Sequence, residues 1–179
     1  QEISSEEDAM GDIPVTTFQK HGIFRAKTIL DKFGGVLVAD GVGLGKTFTA
    51  GGLIEEYRDR RQRVLLVCPA TLRDSEWKKF IHKYQLLIES VSYEQLANDV
   101  QLGGEKQHLQ CSVDEYALIV VDEAHNYRNP MAPTRAGIFR KLTRGKRKDL
   151  LFLTATPVNN SLWDLYHLLS FFLKQDAVL

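Results

Sequence analysis

Two stretches of this chain hold residue types that could do chemistry together. In "VLVADGVGLGKTFTA", Val36 to Ala50, the glycines Gly41, Gly43 and Gly45 lie between an apolar run and a helix expected to begin around Lys46. Backbone amides of such a loop, with the positive end of the helix behind them, form a cradle for phosphate oxygens. Lys46 is placed to reach the outer phosphates as a point charge, and the Thr47 hydroxyl to ligate Mg²⁺. A dinucleotide fingerprint fails here, because G-x-G-x-x-G counted from Gly41 ends on Lys46. A glycine turn that binds nothing is the plain alternative, and the order strand, G-x-G-K-T, helix speaks against it.

The second stretch is "LIVVDEAHNYRN", Leu118 to Asn129. Four apolar residues deliver Asp122 and Glu123 to the end of a strand, where the aspartate can hold hydrated Mg²⁺ and the glutamate can orient an attacking water. Two adjacent carboxylates after a strand would otherwise be a solvated turn; the G-K-T upstream favours the catalytic reading. His125 has no third or fourth ligand at zinc spacing, so it is assigned to coupling. Thr154 and Thr156, at the end of a later apolar run in "LLFLTATPVNN", carry hydroxyls that can bond the acidic motif and sense a terminal phosphate, although strand-end capping would explain two threonines as well.

The elements that must position these residues follow from the hydrophobic pattern. "GVLVAD", "RVLLVC", "LLIESV", "ALIVVD" and "LLFLTA" are rich in Val, Ile and Leu without in-out alternation, as in parallel strands covered on both faces. Amphipathic stretches alternate with them. Phe18, Ile23, Ala26, Ile29, Leu30 and Phe33 recur near a 3.6 period after Thr16 and Thr17, either of which could cap the helix. In "TLRDSEWKKFIHKY", Thr71 and Asp74 fit a capping box, and Trp77, Phe80, Ile81 and Tyr84 make one apolar face. A last helix is expected near Ser161. Gln101 to Val113 reads as a surface loop. The whole is an α/β fold, a parallel sheet with right-handed crossovers and helices on both faces, whose ligand site lies at the carboxyl ends of the strands.

Composition bounds the rest. With 179 residues, 44% hydrophobic and 26% charged, the chain suits one globular domain. Lys+Arg 23 against Asp+Glu 23 leaves no polycationic signature, so any nucleic-acid contact must be local. Two cysteines make neither a disulfide framework nor a zinc site, and a reducing intracellular setting is expected, cytoplasmic in a bacterium and nuclear in a eukaryote. The acidic start reads as a flexible leader over residues 1–14, with one lobe over 15–179. The longest apolar stretch, Leu162 to Leu173, is interrupted by Asp164, His167 and Ser170 and too short to cross a bilayer, so no membrane is expected.

Taken together, the motifs resemble the first RecA-like lobe of a superfamily 2 helicase-type ATPase, most closely the Snf2-like branch. That family's loop reads D-E-M-G-L-G-K-T, with its aspartate at Asp40, so "DGVGLGKT" dispenses with the first glycine of the strict phosphate loop and keeps the part that touches phosphate. "VCPATLRDSEW" resembles the family's P-x-S-L-x-x-x-W segment, "VSYEQL" its next motif, and "LTATPVNNSLWDLYHLLSFF" its L-T-G-T-P-x-x-N segment with trailing helix. Gly41 and Val42 in place of Glu and Met, Arg128, and "TAT" for T-G-T resemble a bacterial or divergent branch more than core chromatin remodellers.

The resemblance implies a three-layer P-loop NTPase lobe that binds ATP and Mg²⁺. The nucleotide is held by Gln19, reading the adenine edge from "TFQKHGI", and by Asp40, Gly41, Val42, Gly43, Leu44, Gly45, Lys46 and Thr47. It also implies a second RecA-like lobe, for which the chain has no room after Leu179. A nucleic-acid strand, double-stranded DNA favoured, would be gripped by its phosphates at Pro69, Ala70 and Thr71, with Ser92 and Arg128 of the same kind. The alternative for Thr71 is that it only caps its helix, and "RKLTRGKRKD" reads as solvated surface. The expected activity is DNA-stimulated ATP hydrolysis driving translocation. The alternatives are a strand-separating helicase, a restriction-system motor, or a non-hydrolysing nucleotide-gated scaffold.

Overall fold

The structure, a computed structural model, describes residues 8–10, 13–39, 44–124 and 133–155. Five parallel strands form its centre: β3 (Gly35–Ala39), β4 (Arg63–Cys68), β5 (Glu89–Ser92), β6 (Tyr116–Val121) and β7 (Asp149–Thr154), in the order β3-β7-β6-β4-β5. Four coincide with apolar runs, whereas β5 overlaps only the end of "LLIESV": Leu86, Leu87 and Ile88 precede it, and Leu87 is exposed. Residues buried on both faces explain why those runs do not alternate.

The register sorts the side chains into two layers. One row across the sheet is Val36, Leu151, Val120 and Leu66, and all four belong to one apolar cluster. The next row, Leu37, Phe152, Val121, Val67 and Val91, faces the opposite cluster. The first cluster is covered by α1 (Thr17–Phe33), α2 (Leu44–Asp59) and the helical run that follows β4. The second is covered by α5 (Tyr93–Ala97) and α6 (Pro133–Leu142). Three layers, α/β/α, result.

That helical run comprises α3 (Ala70–Leu72), a π turn (Arg73–Trp77) and α4 (Lys78–Lys83). Trp77, Phe80 and Tyr84 are buried along it and stack edge to face, with Phe80–Tyr84 centroids 4.8 Å apart. Its expected capping box does not form. The helix starts two residues early, with Pro69 at the N-cap making no side-chain bond, and Asp74 turns instead to Arg73 and Lys78. Those two cations, Arg73 first, hold the Asp74 carboxyl down at about 2.

Helix α1 is capped by Thr16, whose hydroxyl accepts from the Gln19 N–H at 3.3 Å while Gln19 Oε1 accepts from the Thr16 N–H at 2.8 Å. Its buried stripe is narrower than the sequence suggests: Ile23, Ala26 and Leu30 pack inward, whereas Phe18 is 83% exposed and Ile29 and Phe33 face solvent. The helix ends at Gly34, whose φ of 71° is the left-handed cap that glycine adopts freely.

The flexible-leader reading is corrected over part of its length. β1 (Asp8–Met10) pairs antiparallel with β2 (Ile13–Val15), and Ile13 and Val15 are buried in the first cluster. Ile13 lies so close to α2 that a Cβ at Gly51 would come within 2.9 Å of it and of Phe80.

Two polar anchors organise the far loops. The segment read as a surface loop begins with a 3-10 turn at Val100–Leu102 and buries Leu102 and Leu109. It folds on the buried Asp99 carboxylate, which accepts the N–H groups of Gln101, His108 and Leu109. Within "RKLTRGKRKD", Arg140, Arg144, Lys146 and Arg147 are exposed as expected, but Lys148 is 0% exposed. Its Nζ donates to Asp114 Oδ1 at 3.1 Å and to the carbonyls of Arg144 and Lys146 at 3.1 and 2.9 Å. Among the described residues no helix is long and apolar enough to cross a membrane.

Candidate active site

All five strands run the same way, so their carboxyl ends form one edge. The crossover after β3 leaves by the α2 face and that after β6 by the α6 face, which opens a crevice at that edge. Asp122 stands there. Its N–H continues the ladder by donating to the Val67 carbonyl at 2.9 Å. Following Val121 by one residue, its side chain returns to the first layer, the layer of α2. An N–H from that layer meets it: Trp77 Nε1 donates to Asp122 Oδ2 at 2.7 Å.

Lys46 and Thr47 lie in the first turn of α2, where backbone N–H groups have no helical partner. The ends of β3 and β6 are two strand spacings apart, about 10 Å, a gap that a lysine side chain and a triphosphate can bridge. Lys46 is only 5% exposed, and its Nζ has no hydrogen-bond or ion-pair partner among the described residues. A largely buried ammonium without a partner among the described residues suits an anionic ligand. Lys46 and Asp122 therefore lie on one face and at one edge of the sheet. The Thr49 hydroxyl bonds the Gly45 carbonyl at 3.0 Å, tightening the same turn. Beside it, a cavity of about 600 Å³ is lined by Thr47, Phe48, Phe80 and Tyr84, with Glu76, Lys79 and Lys83.

Glu123 leaves the strand with φ 54°, in the left-handed region. A non-glycine residue there costs of order 1 kcal/mol, and such residues cluster at functional sites. The turn is held from two sides. Glu123 N–H donates to Asp122 Oδ1 at 2.8 Å, and Tyr93 OH donates to the carbonyls of Asp122 and Glu123, the latter at 3.2 Å. Trp77, which the pattern marks as a core residue, and the buried Tyr93 thus grip the acidic motif through their polar ends. The signal was available: a buried indole or phenol needs a partner, and the carboxylate at a strand end supplies one. Cys68, at the end of β4 beside this motif, has its thiol pushed up to about 12 by burial and then by the Asp122 charge.

The remaining candidates separate by location. Pro69 and Ala70 are half-buried at the β4 junction and Thr71 is exposed, its hydroxyl not capping the helix. Ser92 is buried and caps α5, accepting from Gln95 N–H at 3.1 Å. Gln19 Oε1 is engaged in the α1 capping box, which leaves its Nε2 as the donor toward any ligand. Thr154 ends β7, buried. Asp40, Gly41, Val42, Gly43, His125, Arg128 and Thr156 lie outside the described residues, as does the side chain of Leu44 and the helix expected near Ser161.

A family model described as the SNF2-related domain matches residues 79–177, more than half of the chain. The chain belongs to the SNF2-related domain family. An uncharacterized ATP-dependent helicase, YqhH of Bacillus subtilis, is 30% identical over 171 residues, covering 88% of this SNF2-related chain and 30% of YqhH. The RNA polymerase-associated protein RapA of Vibrio cholerae is 31% identical over 145 residues, covering 68% of the chain and 15% of RapA. The chain thus spans less than a third of these relatives. Among solved structures, the Sulfolobus solfataricus SWI2/SNF2 ATPase core in complex with dsDNA superimposes with a TM-score of 0.69 at 21% identity over 96% of this chain and 37% of that one. The Pyrococcus furiosus Hef helicase domain gives 0.57 at 18% identity, over 87% and 36%. The SNF2-related lobe is RecA-like in fold.

Proposed function

We propose that this chain is the ATP·Mg²⁺-binding lobe of a nucleic-acid-stimulated ATPase, a SNF2-type translocase on double-stranded DNA in the complete protein. One observation carries the reading: Lys46, whose Nζ has no partner among the described residues, and the Asp122 carboxylate lie at the same edge and on the same face of the sheet. The dsDNA in the Sulfolobus structure and the helicase and RNA polymerase-associated relatives support a nucleic-acid setting.

In this reading Lys46 binds the outer phosphates and the Gly41–Thr47 loop cradles them. Thr47 and Asp122 hold Mg²⁺, and Glu123, turned out of the strand by its positive φ, orients the attacking water. Bound there, Mg²⁺ neutralises charge on the phosphate oxygens. One carboxylate and one hydroxyl fit a cation that keeps most of its waters. Gln19 Nε2 donates to the adenine ring. His125, Thr154 and Thr156 carry the phosphate state away from the site, and Pro69, Ala70 and the exposed Thr71 meet a nucleic-acid phosphate, with Arg128 a further contact of the same kind. A second lobe supplies arginines worth roughly 10³ to 10⁵ in rate, so this lobe alone turns over ATP slowly or not at all.

The test is Glu123→Gln in the complete protein. Nucleotide binding should persist while dsDNA-stimulated hydrolysis falls at least a hundredfold, about the loss expected for a base or water-positioning group. Unchanged stimulated turnover contradicts the assignment. Wild-type protein should displace a triplex-forming strand without separating the duplex; duplex separation would favour a helicase.

A further inference from the structure

We infer that Trp77 is a positioning residue for the metal-binding carboxylate, acting through its indole N–H on Asp122. The inference rests on the role proposed for Asp122 and adds a residue to it.

The helix after β4 departs from α geometry at one place. Across Arg73–Trp77 the bonding lengthens to i→i+5, with Lys78 N–H donating to the Arg73 carbonyl. Single π turns are poorer hydrogen-bonding structures that recur at functional sites. Here the inserted residue rotates the later part of the helix relative to its start. Phe80 and Tyr84 keep the core face, and Trp77, 1% exposed, reaches the strand edge.

What the indole reaches is an ionisable oxygen. The 2.7 Å bond from Nε1 to Asp122 Oδ2 joins two buried groups, and a bond to a charged acceptor is among the stronger kinds. Asp122 Oδ1 accepts from the Glu123 N–H at 2.8 Å. Each carboxylate oxygen is therefore fixed by one protein donor, which sets the plane of the carboxylate and leaves its other lone pairs for a hydrated cation. Partners of this kind, bonded to a ligating group, change metal affinity by 10- to 100-fold when removed. Packing alone does not require the arrangement: Phe at position 77 would fill the aromatic cluster and satisfy it without an N–H.

The same helix begins at Pro69, Ala70 and the exposed Thr71. Trp77 lies six residues beyond Thr71, about 9 Å along the axis. One rigid element thus runs from the junction proposed to meet nucleic acid to the donor that holds the metal carboxylate. Its start is braced, with Arg73 Nη1 bonded to Gln95 Oε1 and Arg73 Nε to Asp74 at 3.0 Å.

The experiment compares wild type, Trp77→Phe and Phe80→Leu in the full-length protein. Mn²⁺ replaces Mg²⁺, and its affinity is read by electron paramagnetic resonance in the presence of a non-hydrolysable ATP analogue, with thermal unfolding in parallel. Trp77→Phe should weaken Mn²⁺ about tenfold while nucleotide binding in EDTA stays unchanged. Phe80→Leu, which damages the same aromatic cluster and leaves the indole bond, should lower the unfolding temperature with Mn²⁺ affinity unchanged. Equal Mn²⁺ affinity in wild type and Trp77→Phe, or an equal loss in both variants, overturns the inference and leaves the nucleotide site standing. Wild-type protein that binds no metal–nucleotide complex overturns both.

Discussion

Replacing Lys46 by methionine separates a lysine kept for a ligand from one kept for the fold. The side chain is 5% exposed, and its Nζ has no partner among the described residues. Methionine preserves most of the buried stem and deletes only the ammonium. An unpaired polar group largely shielded from water costs about 1–3 kcal/mol in proteins. The lower end of that range is about 1 kcal/mol. For a domain of this size that is about 2–4 °C. Without nucleotide, Lys46→Met should therefore unfold at the same temperature as wild type or a few degrees higher. A lysine in a buried ion pair would instead leave its partner uncompensated and lose about 3–5 kcal/mol, dropping the midpoint by roughly 10 °C. Nucleotide reverses the order. At a hundred times Kd a ligand adds about 2.7 kcal/mol to the folded state, so Mg²⁺·ATP should raise the wild-type midpoint by about 5–10 °C and leave the variant unmoved. Differential scanning fluorimetry of the chain reads all four conditions. A ligand-free drop of 10 °C, or an equal ATP shift in both proteins, refutes the reasoning.

Three further outcomes are expected. Gly51→Ala places a Cβ 2.9 Å from Ile13 and Phe80 and should destabilise by about 1–3 kcal/mol through overpacking, read by urea unfolding. Lys148→Met removes the donor to two partly buried carbonyls and should cost about 2 kcal/mol. The same variant should flatten the acid limb. Lys148 first, then the Lys146 N–H, holds the Asp114 carboxyl below its ordinary 3.8, so stability present above that pH is lost as pH falls through the lower folded value, and without Lys148 that loss shrinks. Iodoacetamide at pH 8 should label Cys111 in the native chain and spare Cys68, whose buried thiol is pushed up to about 12; equal labelling by mass spectrometry would contradict this.

Four of the five sheet strands were legible because strands buried on both faces leave uninterrupted Val, Ile and Leu runs, and the expectation of a carboxyl-edge site came from Asp122 closing one such run and Lys46 following another across the glycine loop. Competition among local bonds was not legible. Thr71 and Asp74 have capping-box spacing, but arginine and lysine neighbours claim Asp74 and proline takes the cap. Gln19 was read through resemblance as an adenine reader, and its place in the α1 capping box appears only with coordinates. Ile13 looked like part of an acidic leader because its burial depends on α2, distant in sequence. Lys148 looked like one cation in a solvated run, and only the fold brings Asp114 beneath it. The π turn that aims Trp77 has no sequence period of its own.

The central claim is that Lys46, Thr47, Asp122 and Glu123 surround one metal–triphosphate at the carboxyl edge. Mn²⁺ with a non-hydrolysable ATP analogue, added to the isotopically labelled chain, tests it by paramagnetic broadening of amide resonances. Thr47, Asp122 and Glu123 should broaden together at substoichiometric Mn²⁺, while Asp114 and Lys148, at the opposite edge about 20 Å along the strands, stay sharp. Broadening at Asp114 and Lys148, or at Thr47 without the acidic pair, would contradict the account.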